Sequence, residues 1–116
     1  MEFEHYSVAL LVTNANAPQM SEEERARVQD AHLSFLADLH EQGHLLAVGP
    51  LADPDGELRG LSILRVPPER AGELKAADPA VEAGVFTVRI VPWSIPAGLV
   101  RFQPAAMPRS IADVLA

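Results

Sequence analysis

Apolar and polar positions along the chain alternate between short runs rich in strand formers and one long amphipathic stretch. Residues 6–13 form the first apolar run, and Pro18 follows shortly after it, so this run predicts the first strand. From about residue 22 to about residue 42, apolar side chains recur at helical spacing, which predicts a helix with one stripe packed on a sheet. The stripe comprises Val28, His32, Phe35 and Leu39, flanked by Ala31 and Leu36.

Both ends of this helix carry recognisable signals. Ser21 and Glu24 have the form of a capping box, because the serine hydroxyl can accept the Glu24 amide while the Glu24 side chain reaches back. Gly43 is well placed to stop the helix at its C-terminal end. We therefore expect the helix to run from about Glu22 to about Gln42.

Two further apolar runs, residues 45–51 and 58–66, flank the turn sequence Asp53-Pro-Asp-Gly56. Glycine tolerates positive φ and proline presets φ, so these runs predict a hairpin. Pro50 should lie at a strand end or a sheet edge, because it has no amide hydrogen to donate to a ladder.

The remainder of the core predicts a second helix at residues 67–77, a short helical turn at 80–84 and a fourth strand at 85–91. The order β-α-β-β-α-β is the ferredoxin-like pattern. We therefore expect an α+β fold with a four-stranded antiparallel sheet and two helices on one face.

This ferredoxin-like domain should occupy residues 1–93, followed by a C-terminal extension over residues 94–116. The extension predicts a short strand around 99–102 and a final helical turn at 110–115. Its apolar content indicates that it packs on the domain or on a partner.

The strands alternate poorly between apolar and polar side chains, which bears on assembly. Tyr6 and Val8 point to one face of the first strand, yet Ala9 and Leu11 on the opposite face are also apolar. A sheet face that meets water should be polar, so the second face needs a cover. A second copy of the sheet would close a barrel-like core by two-fold symmetry, and we predict a homodimer. The C-terminal extension is the alternative cover.

Composition excludes several classes of partner and chemistry. The net charge of −7 and the pI near 4.9 disfavour nucleic acid and anionic membranes as partners. The lack of cysteine excludes disulfides, thiolate catalysis and cysteine-based metal sites. His40 and His44 are four residues apart, but Gly43 should break the helix between them, so we expect no metal. We also expect a cytoplasmic protein, because the N-terminus is acidic and no long apolar run is present. No cofactor is expected.

Several stretches resemble the YCII-related (YciI-like) family over about residues 5–93. They are Ala31-His32-Leu33, the run from Gly43 to Leu51, Asp53-Pro-Asp-Gly56 leading to Gly60, and Asp78-Pro79 leading to Gly84-Val85. The resemblance implies a dimeric α+β barrel of ferredoxin-like halves. It also implies a pocket beside the first helix with a suspected catalytic histidine and aspartate, which correspond here to His32 and Asp78.

A carboxylate hydrogen-bonded to one imidazole nitrogen would fix the tautomer and leave the other nitrogen free for a substrate proton. The alternatives are purely structural: His32 is a core histidine whose ring nitrogens are hydrogen-bonded, and Asp78 only caps a turn before Pro79. Gly49 and Pro50 are candidate ligand-binding residues if the backbone approaches a ligand there, although a purely structural role is the alternative.

Two functional hypotheses follow. The first is a cofactor-independent enzyme in which His32 is the general acid/base and Asp78 its orienting partner. Family relatives are linked to dehalogenation or lactone chemistry, so lyase, dehalogenase or lactone-type reactions on a small organic substrate are the expected classes. The second is a non-catalytic dimeric module that binds a small ligand or a protein. The wider superfamily also has haem-using members, which an absorbance spectrum would detect.

Overall fold

A computed structural model describes residues 1–116 as one antiparallel sheet with helices against one face. The strands are β1 (Phe3–Thr13), β2 (Leu45–Pro50), β3 (Leu58–Leu64) and β4 (Phe86–Pro96). The helices are α1 (Glu22–Glu41), α2 (Pro68–Ala76), α3 (Pro79–Glu82) and α4 (Ile111–Leu115). The predicted α+β fold with the ferredoxin-like order is confirmed.

The strand order is β2-β3-β1-β4, and every neighbouring pair is antiparallel. The hairpin between β2 and β3 turns at Asp53, whose carboxylate accepts the backbone amides of Asp55 and Leu58. Gly56 has φ +70° within this turn. Because β2 is an edge strand, Pro50 at its last position costs no ladder hydrogen bond, as predicted.

Helix α1 begins and ends at the predicted signals. The Ser21 hydroxyl accepts the Glu24 amide at 3.1 Å, and Gly43 follows the helix with φ +83°. His32 and Leu39 are buried against the sheet side, whereas the flanking Ala31 is exposed, contrary to its expected place on the stripe. Ala31 lies at the edge of the apolar stripe, next to helix surface that faces solvent.

The core lies between the sheet and the helices. It consists of the buried residues Ala9, Leu36, Leu39, Leu45, Leu64 and Ala71. Half-buried apolar side chains surround this cluster, including Val88 and Ile90 from β4 and Met107 from the C-terminal extension. Aliphatic side chains therefore fill the core.

Strand β4 continues beyond its predicted end at residue 91. It pairs with β1 along its whole length, from Phe86 opposite Thr13 to Pro96 opposite Phe3. Pro92 lies within β4, which is the other edge strand, where a missing amide hydrogen can face solvent. The strand thus crosses the expected boundary at residue 93.

The C-terminal extension after β4 packs along α1. No strand forms at residues 99–102, because this segment leaves the sheet, whereas α4 forms at the predicted final turn. The Ala105 amide donates to His40 Nε2 at 3.1 Å, and the Ile111 amide donates to Asp30 Oδ1 at 2.7 Å. The extension therefore covers the outer side of α1.

The extension also explains the burial of Ala37. This residue lies about 140° around α1 from His32, on a side that would otherwise face solvent. Arg109 donates to Ser34 and Asp38 on either side of Ala37. The extension thus shields a second face of the helix.

The sheet face opposite the helices keeps a group of half-buried aliphatic side chains, here called the open face. It comprises Val8, Leu10, Val12, Leu61, Ile63 and Val91. The extension reaches the rim of this face at Phe102, whose ring lies 5.4 Å from that of Tyr6. Dimer formation through the open face stays a prediction. None of the helices has the length and apolar character needed to cross a bilayer.

Candidate functional site

His32 and Asp78 meet beneath α1. Nδ1 of His32 lies 2.8 Å from both carboxylate oxygens of Asp78, although 46 residues separate them in the chain. Asp78 is completely buried and His32 is 7% exposed. The structure thus brings together the two residues proposed from the sequence, and their chemical role stays a prediction.

Local sequence explains where the carboxylate lies. Asp78 is the N-cap of α3, and its Oδ1 accepts the Ala80 amide at 2.9 Å. Pro79 suits the first position of the helix, because its missing amide hydrogen would have no partner there. Asp78 is therefore a helix cap and a histidine partner at once, and the two interpretations are compatible.

A lysine joins the pair. Nζ of Lys75 lies 3.4 Å from Asp78 Oδ2 and 3.5 Å from the Ser62 hydroxyl, and the lysine side chain is fully buried. Lys75 is the only lysine in the chain. The sequence interpretation missed it, although it follows Ala71 by four residues and so shares the inward face of α2.

The cluster favours an ionised carboxylate. Burial alone would raise the pKa of Asp78, but the hydrogen bond and charge of His32 and the ammonium of Lys75 outweigh burial and hold this pKa below its usual range. Burial lowers the pKa of Lys75, and the adjacent carboxylate offsets this effect only in part. Asp78 therefore stays charged at neutral pH and accepts a hydrogen bond from His32.

The second ring nitrogen of His32 is available. Nε2 makes no hydrogen bond, yet no fully buried polar side-chain atom of the protein lacks a partner, so Nε2 reaches solvent. Helical side chains lean toward the helix N-terminus, which directs the ring over the turn containing Val28 and Gln29. Both residues line a cavity.

This α1–α4 cavity has a volume of about 400 Å³. Val28 and Gln29 of α1, Ala80 of α3, Phe86 of β4 and Ile111 of α4 contribute to its wall. The Phe86 ring, which is part of this wall, lies 6.4 Å from the His32 ring. His32 itself lies next to this cavity rather than in its lining.

The other candidate residues lie elsewhere. Gly49 and Pro50 lie on the edge strand β2 and line neither large cavity, so their ligand-binding role stays a prediction. A second cavity of about 470 Å³ lies near the start of β1, where Tyr6, Arg65 and Trp93 contribute to its wall. Neither His32 nor any other residue of α1 lines this second cavity.

The histidine pair considered for metal binding is used otherwise. His40 Nδ1 lies 2.7 Å from the Leu45 carbonyl, and Nε2 accepts the Ala105 amide. Both ring nitrogens of His40 are thus occupied by backbone groups. No group of three or more His, Cys, Asp or Glu side chains is arranged to hold a metal ion.

Comparisons with known proteins agree with the fold. No curated protein matches the chain. Among solved structures, 5-chloro-2-hydroxyhydroquinone dehydrochlorinase from Burkholderia phenoliruptrix, in complex with 2,5-dihydroxybenzoquinone, matches with a TM-score of 0.55 and 17% identity. The match covers 76% of this chain and 92% of that chain, and at this identity it shows the shared fold. The sequence model of the YCII-related domain matches residues 8–94, which is most of the chain. This protein therefore belongs to the YCII-related domain family, as the resemblance of its motifs predicted.

Proposed function

We propose that this protein is a small cofactor-independent enzyme in which His32 transfers a proton to or from a small organic substrate. The contact of Nδ1 with both oxygens of Asp78, with Nε2 left free, is the observation that carries the proposal. A buried imidazole N–H needs an acceptor whatever its role, so the unpaired Nε2 is what separates a base from a packing residue.

The chemistry follows from the tautomer. Asp78 accepts a hydrogen bond from Nδ1–H of His32, so the lone pair is on Nε2 and can take a substrate proton. The carboxylate then stabilises the imidazolium that forms, and the same Nε2–H returns the proton to the product or the leaving group. Lys75 supports the ionised state of Asp78 and touches no substrate in this scheme.

Elimination and lactone chemistry fit such a site. Removing hydrogen chloride requires loss of a proton to a base and of chloride with the bonding electron pair, so neither oxidant nor reductant is consumed. The solved relative named above is a dehydrochlorinase with a quinone ligand. That relationship supports lyase, dehalogenase or lactone-type reactions as the first classes to examine.

A homodimer belongs to the same proposal. The open face presents half-buried aliphatic side chains from three strands, and the C-terminal extension lies mainly on α1 instead. Face-to-face pairing of two such sheets would remove this apolar surface from water.

The test compares His32→Gln with His44→Gln. Glutamine approximates the shape of histidine but cannot act as a base, and His44 lines neither large cavity. We would measure chloride release from chlorinated hydroquinones, lactone opening, and exchange of acidic C–H protons in D₂O. We expect His32→Gln to lose about 10²–10⁴-fold in rate and His44→Gln to keep the rate of the parent protein.

A folded His32→Gln variant with the parent rate would contradict the catalytic role. A parent protein that binds these compounds without converting any of them would favour the non-catalytic binding module.

A further inference from the structure

One wall of the α1–α4 cavity comes from outside the family domain. Ile111 of α4 lines this cavity together with Val28, Val85 and Phe86. The family domain ends at residue 94, so Ile111 belongs to the C-terminal extension. Family membership therefore does not determine the shape of this cavity.

Three sets of contacts hold the wall in place. The Ile111 amide donates at 2.7 Å to Oδ1 of Asp30, which directly follows the cavity residue Gln29 in α1. The two guanidinium nitrogens of Arg109 lie 2.9 Å from Asp38 and from Glu41. Met107 packs against the hydrophobic core. Helix α4 is thus a fixed part of the cavity, since the segment before it is attached at several points.

The remaining lining indicates the chemistry of a ligand. Six of the nine residues around the cavity are hydrophobic, which suits a compact apolar or aromatic body. Arg25 and Glu22 also line the cavity, and the Arg25 guanidinium forms no ion pair with Glu22 or with any other carboxylate of the protein. An unpaired guanidinium beside an apolar cavity matches a carboxylate or phenolate group.

We propose that Ile111 is a specificity-determining residue: it sets the size of the small organic anion that the α1–α4 cavity holds beside His32. This inference rests on the proposed function, because it takes this cavity as the substrate site of His32. The C-terminal extension thereby gives this protein a substrate range different from that of relatives that lack it.

The experiment measures binding, with benzoate and 2-naphthoate as probes and the methyl NMR signals of Val28 and Val85 as the readout. Ile111→Ala should raise the affinity for 2-naphthoate relative to that for benzoate by about tenfold, because the space it opens holds a few more carbon atoms in an apolar site. Ile111→Trp should weaken both probes by about tenfold or more, because the indole fills the cavity. Val114→Ala and Val114→Trp are matched controls, since Val114 is on the same helix but 57% exposed.

Benzamide, which is neutral, tests whether the negative charge of the ligand contributes to binding. Arg25→Gln should weaken benzoate and leave benzamide unchanged, because only the carboxylate uses the guanidinium. Equal loss for both probes would overturn the assignment of an anionic ligand class.

The size role is overturned if the Ile111 variants change binding no more than the Val114 controls. It is also overturned if neither probe shifts the Val28 and Val85 signals of the parent protein up to its solubility limit. These outcomes are independent of turnover. Normal size selection together with full activity of His32→Gln would leave the cavity assignment standing and remove the catalytic proposal alone.

Discussion

Nδ1 of His32 lies equally far, at 2.8 Å, from the two carboxylate oxygens of Asp78, and this carboxylate also links three helices. Oδ1 accepts the Ala80 amide at the start of α3, and Oδ2 faces Lys75 of α2. One buried side chain therefore orients the imidazole of α1 and balances the charge of a lysine. Its loss should affect stability as well as chemistry.

Asp78→Asn should lower the free energy of unfolding by about 3 kcal/mol, because the Lys75 ammonium would be left buried without a counter-charge. Urea unfolding at neutral pH measures the change. Asp55→Asn is the control, since Asp55 is an exposed turn residue whose carboxylate makes no hydrogen bond, and we expect little effect there. Equal stability of the two variants would contradict the proposed charge balance.

The pairing of His32 with Asp78 could be predicted from the sequence through its resemblance to the YCII-related family, whereas the third member of the cluster could not. Helical periodicity directs His32 inward, and Asp78 lies in the turn that leads back to the sheet. Lysine is almost never fully buried, so the apolar face of α2 gave too weak a reason to place Lys75 inside.

The course of the C-terminal extension was equally beyond prediction from the sequence. The fourth strand is predicted only to residue 91, whereas β4 continues through Pro92 at the sheet edge, where a proline is tolerated. Where the chain goes afterwards depends on tertiary contacts such as those of Arg109 with α1. Such contacts leave no periodic signal in the sequence, so Ile111 could not be assigned to the cavity from it.

Lys75 should make stability increase with alkaline pH. Burial lowers the pKa of Lys75 in the folded protein below its usual value of 10.5. At a pH between the folded-state pKa and 10.5, the unfolded chain therefore binds a proton that the folded protein has released. The free energy of unfolding therefore rises with pH across that window. Lys75→Met should remove this contribution in urea unfolding at a series of pH values, whereas Arg70→Met on the exposed side of α2 should keep it. An unchanged slope in Lys75→Met would refute the assignment.

Tyr6, the only tyrosine, should titrate above its ordinary value of 10.0. The hydrogen bond to Glu4 is the main reason that the pKa of Tyr6 is raised, and burial adds to it. A raised folded-state pKa means that this contribution to stability is complete below pH 10 and disappears as pH rises through the folded value. Ultraviolet absorbance of the phenolate follows the titration. Glu4→Gln should bring the midpoint back toward 10.0, and Glu2→Gln should not.

Gly84 should not tolerate a side chain. It joins α3 to β4 with φ +78°, and an added Cβ would lie 3.3 Å from Cδ of Pro18. Gly84→Ala should therefore destabilise the protein by roughly 1–2 kcal/mol. Gly72→Ala is the matched control: it lies within α2 with 3.9 Å to the nearest atom of Ile90, and alanine should stabilise this helix by up to about 1 kcal/mol. Thermal unfolding that ranks the two variants in the reverse order would contradict the described turn.

Leu61→Arg should separate the proposed dimer into folded monomers. Leu61 lies in β3 opposite Leu10 of β1, so it is central on the open face and an arginine there would be buried without a partner between two sheets. Light scattering after size exclusion should give about twice the chain mass of 12.5 kDa for the parent protein and the chain mass for the variant. Leu99→Arg is the control, since Leu99 is 69% exposed beyond the end of β4 and should leave the dimer intact. Circular dichroism would verify that both variants keep the fold. A parent protein of single-chain mass, or a Leu61→Arg dimer, would mean that the open face is not the surface through which two copies associate.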